Sequence, residues 1–319
     1  MDANSASPPL DIGLIPGLIA RAENRNSQRV RTSASAEVDN TIASERLIGA
    51  ILSTKVALTA HDIERILTYA RLHGLRFGDA AVALRLVTQD QVLQSLADQF
   101  GYLYASEERR KLMPELVGLN QPFSLQAEAI REIRSQLMMR VFATRPSPAL
   151  AVVSPSSGDG KTFFSANLAV SLAQVGGRTL LIDGDLRGPR LHEVFKVENT
   201  TGLSSVLAGH VESNVIQPVS EAANLFIMPV GVTPPNPLEL VERAAFRVLM
   251  RELTAGFDHV IVDTPAAVYG VDAQVIAARC GAALVLARKN ESRVGVLQKF
   301  VSALTESSAR IAGVIMNDY

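Results

Sequence analysis

Two different rhythms of hydrophobic residues divide this chain. From Leu150 onward short apolar runs recur: LAVV at 150–153, TLLI at 179–182, LFIMPV at 225–230, HVIVD at 259–263, ALVLA at 283–287 and IAGVIM at 311–316. Helical stretches separate them. Strands covered on both faces read as continuous runs of Val, Ile and Leu rather than as strict alternation. Runs of this kind alternating with helices predict βαβ units, and so an α/β fold whose mainly parallel sheet carries helices on both faces.

Before that point the period changes. Between Arg46 and Tyr104, Gly49, Thr59, Ile63 and Leu67 recur as Gly78, Thr88, Val92 and Leu96, always 29 residues on. Such a fixed spacing implies two copies of one small unit. Thr59-x-x-Asp62 and Thr88-x-x-Gln91 each stand just ahead of an apolar helical pattern, the arrangement of a capping box at a helix start. Each copy is expected to be a pair of short helices. Neither can bury its apolar face alone, so the two should pack as one small helical domain.

Domain boundaries follow from composition. Residues 1–41, rich in Ser, Ala, Asn and Arg without sustained period, read as a disordered leader. The helical domain spans 42–106. A linker at 107–124 is marked by Glu107, Glu108, Arg109, Arg110, Pro114 and Pro122, and the α/β domain occupies 125–319. The 319 residues, 47% hydrophobic and 20% charged, are enough for one large core and a smaller one. A net charge of -1 gives no general attraction to nucleic acid or anionic lipid, and no nucleic-acid partner is expected. Cys280 is the single cysteine, which excludes an intramolecular disulfide and a multi-cysteine metal site; its apolar surroundings predict a buried thiol in a reducing compartment. Asp2 stands where a secretory signal carries positive charge, and no apolar stretch is long enough to cross a bilayer. The expectation is a cytoplasmic chain that reaches the inner membrane only through a partner.

Chemistry enters where the first strand ends. Leu150–Val153 runs into Ser-Pro-Ser-Ser-Gly-Asp-Gly-Lys-Thr (154–162), followed by a helical pattern, so the order is strand, phosphate loop, helix. Phosphates are bound by backbone N–H groups turned inward at a helix N-terminus, which glycines permit. Ser157, Gly158, Asp159, Gly160, Lys161, Thr162 and Phe163 form this candidate nucleotide site, with Lys161 reaching the β- and γ-phosphates and Thr162 ligating Mg²⁺. Pro155 replaces the first glycine of the usual pattern. The strand at 179–182 delivers Asp183, Asp185 and Arg187, and that at 259–262 delivers Asp263. In an open parallel sheet these C-terminal ends share one crevice with the phosphate loop, which gathers Lys161, Asp183, Asp185 and Asp263 as the candidate catalytic set. Phosphoryl transfer needs such a site: positioning, neutralised charge and a group to take a hydroxyl proton.

Together the Gly-x-Gly-Lys-Thr loop, the Asp183-x-Asp185-x-Arg187 strand end and the Asp263-x-Pro265 motif resemble those of the bacterial tyrosine kinases of capsule and exopolysaccharide synthesis. Gly202-Leu203-Ser204 and Pro234-Pro235-Asn236-Pro237-Leu238-Glu239-Leu240 extend the likeness over roughly residues 125–319. The resemblance implies a P-loop NTPase fold, ATP and Mg²⁺ as cofactors, and an autokinase controlling chain length together with a membrane polysaccharide co-polymerase. It implies Thr162, Asp183 and Asp263 at the metal, Asp185 between metal and acceptor, Arg187 at the nucleotide, and Asn317 against the adenine base; which carboxylate is the general base stays open. Glu128-x-x-Arg131-x-x-Arg134 matches the element by which such kinases assemble into homo-oligomeric rings. The family's tail of clustered tyrosines is absent, which leaves as candidate phosphoacceptors Tyr319, a tyrosine elsewhere in the chain, or another protein. The rival reading is a partitioning or cell-division ATPase switch without kinase activity, a group whose loop carries a lysine where this chain has Ser156. The repeat domain resembles the N-terminal domain of type II secretion and pilus ATPases through Arg76-Phe77-Gly78 and Leu96-Ala97-Asp98-Gln99, with Arg85 where glycine is expected; some of that group bind cyclic di-GMP, so the likeness leaves two readings, a structural or docking role and a cyclic di-GMP site.

Overall fold

The computed structural model describes residues 51–52, 55–100, 107–144, 147–210 and 213–318. The leader at 1–41, Arg46, Gly49, Tyr104 and Tyr319 lie outside the described residues. The described residues form two compact units, one from 51–110 with 118–122, the other from 111–117 with 123–318.

In the first unit α1 (Ala60–His73), α2 (Phe77–Ala83) and α3 (Gln89–Phe100) follow one another. Both boxes expected from the 29-residue spacing form. The Asp62 N–H donates to Thr59 Oγ1 at 3.2 Å and the Thr59 N–H to Asp62 Oδ2 at 3.1 Å. The second box repeats this, with Gln91 N–H to Thr88 Oγ1 at 3.2 Å and Thr88 N–H to Gln91 Oε1 at 2.8 Å. Leu52, Ile66, Phe77, Ala80, Ala81, Val87 and Val92 make the core, with the repeat-related Ile63, Leu67 and Leu96 packed against it.

The chain leaves α2 through Arg85 in the left-handed region at φ 57. The Leu86 N–H reaches back to the Ala81 carbonyl and the Arg85 N–H to that of Val82. Arg85 therefore occupies the post-helical position that glycine usually takes, which explains where a glycine was expected. A non-glycine residue held there costs about 1 kcal/mol. Arg85→Gly should raise the stability of this unit by ~1 kcal/mol, read as a higher urea midpoint of its transition in the full chain.

Residues 107–124, expected as a linker, instead contain α4 (Glu107–Leu112) and α5 (Val117–Asn120), with Met113 and Leu116 buried. Met113 and Leu116 lie in the turn between the two helices, so their burial carries no helical period in the sequence.

The second unit opens with α6 (Leu125–Arg140), whose Ser124 caps it through the Ala127 N–H at 3.2 Å. Its sheet contains β1 (Ala149–Val153), β2 (Thr179–Asp183), β3 (Gln217–Pro218), β4 (Leu225–Met228), β5 (His259–Asp263), β6 (Gly281–Arg288) and β7 (Arg310–Asn317). The spatial order is β3-β4-β2-β5-β1-β6-β7, with every pairing parallel except β3 on β4. The helices between strands are α7 (Lys161–Ala173), α8 (Leu191–Phe195), α9 (Leu203–Ala208), α10 (Pro237–Glu242), α11 (Ala244–Gly256), α12 (Asp272–Cys280) and α13 (Val294–Glu306). β1, β2 and β5 are buried along their whole length, as the unbroken apolar runs require. Cys280 is buried at the end of α12, and burial pushes its thiol well above the ordinary range. No helix among the described residues is long and apolar enough to cross a membrane.

Candidate active site

The sheet register decides the site. β5 lies between β1 and β2, with Val152 opposite Asp263 on one side and Asp183 opposite Asp263 on the other. The phosphate loop leaving β1 and the carboxylates ending β2 and β5 therefore meet at one C-terminal edge.

The loop itself needs backbone that other residues resist. Gly158 and Gly160 adopt φ 80 and 93, and Gly160 precedes α7 with no side-chain cap. The first N–H groups of α7, having no carbonyl one turn back, face the loop's interior, where the helix dipole favours an anion. Ser157 and Gly158 are exposed at the tip, whereas Asp159 is buried and braces the loop from within. Its carboxylate accepts from the Ser156 N–H at 3.0 Å and from Ser292 Oγ at 3.1 Å, and its carbonyl accepts from Asn317 Nδ2 at 3.1 Å. Asn317, expected against the base, is thus tied to the loop's backbone. Phe163 lies in the first turn of α7, its carbonyl accepting from Asn167 Nδ2 at 2.9 Å. Pro155 is accommodated because its position is buried and has only a carbonyl to satisfy, which accepts from the Val268 N–H at 3.0 Å.

Lys161 is buried, its Nζ donating to Ser154 Oγ at 3.0 Å. Thr162 Oγ1 donates to Asp263 Oδ2 at 2.6 Å, and Ser165 Oγ to Asp263 Oδ1 at 3.1 Å. Asp183 is fully buried: Oδ1 accepts from the Asp185 N–H at 3.2 Å, and Oδ2 from those of Arg190 and Leu191 at 3.1 and 3.0 Å. Asp185, half-buried, accepts at Oδ1 from the N–H groups of Arg187 and Gly188 at 3.1 and 2.9 Å. The Arg187 guanidinium is turned to Asp272.

Burial lifts the Asp263 carboxyl to about 6, against the pull of Thr162 and Lys161. Asp183 is raised well above the ordinary range, by burial first and then by the charge of Asp263. Two buried carboxylates that disfavour each other's charge, with a threonine hydroxyl on one of them, form an oxygen-rich donor set that suits a hard cation; the residues present fit Mg²⁺.

The sequence-based reading did not reach Ser154, Ser165, Ser292 or Asp272. Ser165 had a signal, since it follows Thr162 by three residues on the same helix and so shares its face. The others meet the site only through tertiary folding. Away from the crevice, Glu128 and Arg131 of α6 pair with each other, Nε to Oε2 at 3.0 Å, and Arg134 Nη1 donates to the Ser171 carbonyl at 3.0 Å.

Residues 150–319 match the model of the CobQ/CobB/MinD/ParA nucleotide-binding domain. The putative tyrosine-protein kinase CapB of Staphylococcus aureus is 33% identical over 62% of this chain and 86% of its own length. The tyrosine-protein kinase YwqD of Bacillus subtilis is 32% identical over 65% of this chain and 87% of its own. The chain belongs to the bacterial tyrosine kinases. Solved structures agree: the kinase domain of the Escherichia coli tyrosine kinase ETK superposes with a TM-score of 0.60 at 31% identity, covering 69% of this kinase and 92% of that domain. The chimerical protein CapA2B2 gives 0.59 at 30%, covering 70% and 97%. Of the Salmonella typhi tyrosine-protein kinase wzc, 32% identical over the shared region, the kinase spans 29%. A nucleotide-binding P-loop fold and protein tyrosine kinase activity follow.

Proposed function

We propose that the crevice takes ATP with Mg²⁺ and passes the γ-phosphoryl group to tyrosines of this chain or of a second copy. The observation that carries this is the meeting of the Lys161–Thr162 helix start with Asp183 and Asp263 at one sheet edge. With nucleotide bound, Lys161 would turn from Ser154 to the phosphates, Thr162, Asp183 and Asp263 would hold the metal, and the loop's N–H groups would cradle the phosphate chain. Mg²⁺ supplies charge neutralisation across the phosphates. Asp185, the half-buried carboxylate of the three, takes the tyrosine proton. Mass spectrometry after incubation with Mg-ATP tests this: phosphate on tyrosine, at Tyr319 in the first place, is the expected result. ADP release without phosphotyrosine removes the reading.

The family resemblance further supports a role in exopolysaccharide chain length and export, exercised from the cytoplasm at the inner membrane with a co-polymerase, and ring assembly through Glu128, Arg131 and Arg134. Arg134 donates to Ser171 within the chain, and Arg131→Glu is the probe of assembly. It should shift the mass read by light scattering toward monomer, with circular dichroism matching the unsubstituted chain to show that the fold is kept. An unchanged mass returns that helix face to solvent. Residues 42–106 are assigned to the secretion-ATPase-like domain on resemblance, with cyclic di-GMP as the ligand to test; calorimetry without heat removes it.

A further inference from the structure

The segment that follows β5 connects two parts of the site. The N–H groups of Ala267 and Val268 donate to the carbonyls of Ser154 and Pro155, both at 3.0 Å, so the turn Ala267–Tyr269 is laid along the start of the phosphate loop. A few residues on, Asp272 opens α12 with its side chain only 4% exposed. It receives Arg187 Nε at 3.2 Å and Nη2 at 3.1 Å on Oδ1, and Nη2 again at 3.1 Å on Oδ2. Arg187 in turn belongs to the turn whose N–H groups hold Asp185 Oδ1. One strap, residues 266–272, thus ties the phosphate loop at one end and the Asp185 loop at the other.

Gly270 marks how closely the strap approaches the ion pair. Its φ is 152, and a Cβ there would lie 2.7 Å from Asp272 Oδ2 and 3.5 Å from Arg187 Nη2. Any side chain would press on the carboxylate. The fork of a guanidinium on both oxygens of a buried carboxylate fixes direction as well as distance, which neither Lys at 187 nor an amide at 272 reproduces. In-line transfer needs the acceptor-side carboxylate and the phosphates in fixed relation, and a misplacement of about 1 Å costs about a hundredfold in rate. The charge of Asp185 already acts on Asp183 and Asp263, so a shift of its loop is felt at the metal-binding carboxylates.

We propose that Asp272 is a positioning residue for phosphoryl transfer, acting through Arg187 to hold the Asp185 loop in register with the phosphate loop. This rests on the kinase reading above. It also assigns Arg187 to the loop's geometry rather than to direct contact with the nucleotide.

The test uses the full chain with Asp272→Asn, Arg187→Gln and both together, reading phosphotyrosine formation, KM for ATP, affinity for Mg-ADP and melting temperature. Each single substitution should lower the rate of phosphotyrosine formation tenfold to about a hundredfold while ADP affinity and KM change little. The double variant should be no worse than the worse single one, because the two residues act as a unit. Losses that multiply in the double variant, or ADP affinity that falls with Arg187→Gln, overturn the proposal; so does unchanged transfer in the single variants. If Asp272→Asn does not fold, Arg187→Gln carries the test alone, because the Arg187 side chain is 36% exposed and can be hydrated when unpaired. Gly270→Ala, which disturbs the carboxylate without removing a charge, must then lower transfer as well, and its failure to do so sinks the idea. An unsubstituted chain that hydrolyses ATP without forming phosphotyrosine removes the kinase reading separately. The same variants are then read on hydrolysis, where an unchanged kcat overturns the positioning role.

Discussion

Lys161→Met is expected to lower phosphotyrosine formation by at least about a hundredfold to a thousandfold while the protein keeps its fold. The lysine stem is buried at the start of α7, and methionine retains most of that volume and its apolar contacts. What is lost is one charged donor. Ser154 is not orphaned by the change, because its hydroxyl donates to the Ser156 carbonyl at 2.7 Å. The charge matters twice: it faces the phosphates in the loaded site, and it is one of the groups that hold down the Asp263 carboxyl. Circular dichroism and a melting temperature close to that of the unsubstituted chain should accompany the loss of phosphotyrosine in mass spectra. Full turnover in a folded variant would remove Lys161 from the chemistry and move the site elsewhere.

The site was legible where its signals were local and dark where they were tertiary. A strand, a glycine-bearing loop and Lys161–Thr162 stand within a dozen residues, and Asp183 and Asp263 each end an apolar run, so their convergence follows once the sheet is parallel. The order β3-β4-β2-β5-β1-β6-β7 was not legible, since apolar runs carry no label of their neighbour. Nor was the pairing of Arg187 with Asp272, 85 residues apart in sequence. Asp272 looks like an ordinary first-turn acid on a helix, which it also is. The contact of Asn317 with the Asp159 carbonyl was not legible either, because the distance between them is bridged only when β7 joins the sheet beyond β6. In the helical unit the capping boxes were readable from Thr59 and Thr88, whereas the left-handed conformation of Arg85 was visible only as a glycine out of place.

Asp263→Asn should make the nucleotide-free protein more stable at pH 8 than the unsubstituted chain, and less distinct from it at pH 5. The carboxyl of Asp263 is raised from an ordinary 3.8 to about 6. Between these values the folded chain holds a proton that the unfolded chain has released, so stability contributed here falls as pH rises through the window and is lost above about 6. The full difference is on the order of 3 kcal/mol. Asparagine carries no charge to desolvate, and Thr162 and Ser165 can each donate or accept, so both hydrogen bonds to residue 263 survive by hydroxyl rotation. Asp183, relieved of a neighbouring negative charge, contributes in the same direction. Urea unfolding in the presence of a chelator at pH 5 and pH 8 measures the difference, and a gap that does not widen with pH contradicts a buried, proton-holding Asp263. With Mg²⁺ and ADP the order should reverse at pH 8, because the cation that the carboxylate binds offsets its charge only in the unsubstituted chain. Phosphotyrosine formation should be lost in Asp263→Asn under the same conditions. A site that is destabilised by its own carboxylates when empty and stabilised when filled links folding to nucleotide occupancy, and this variant separates the two by removing the charge without removing the hydrogen bonds.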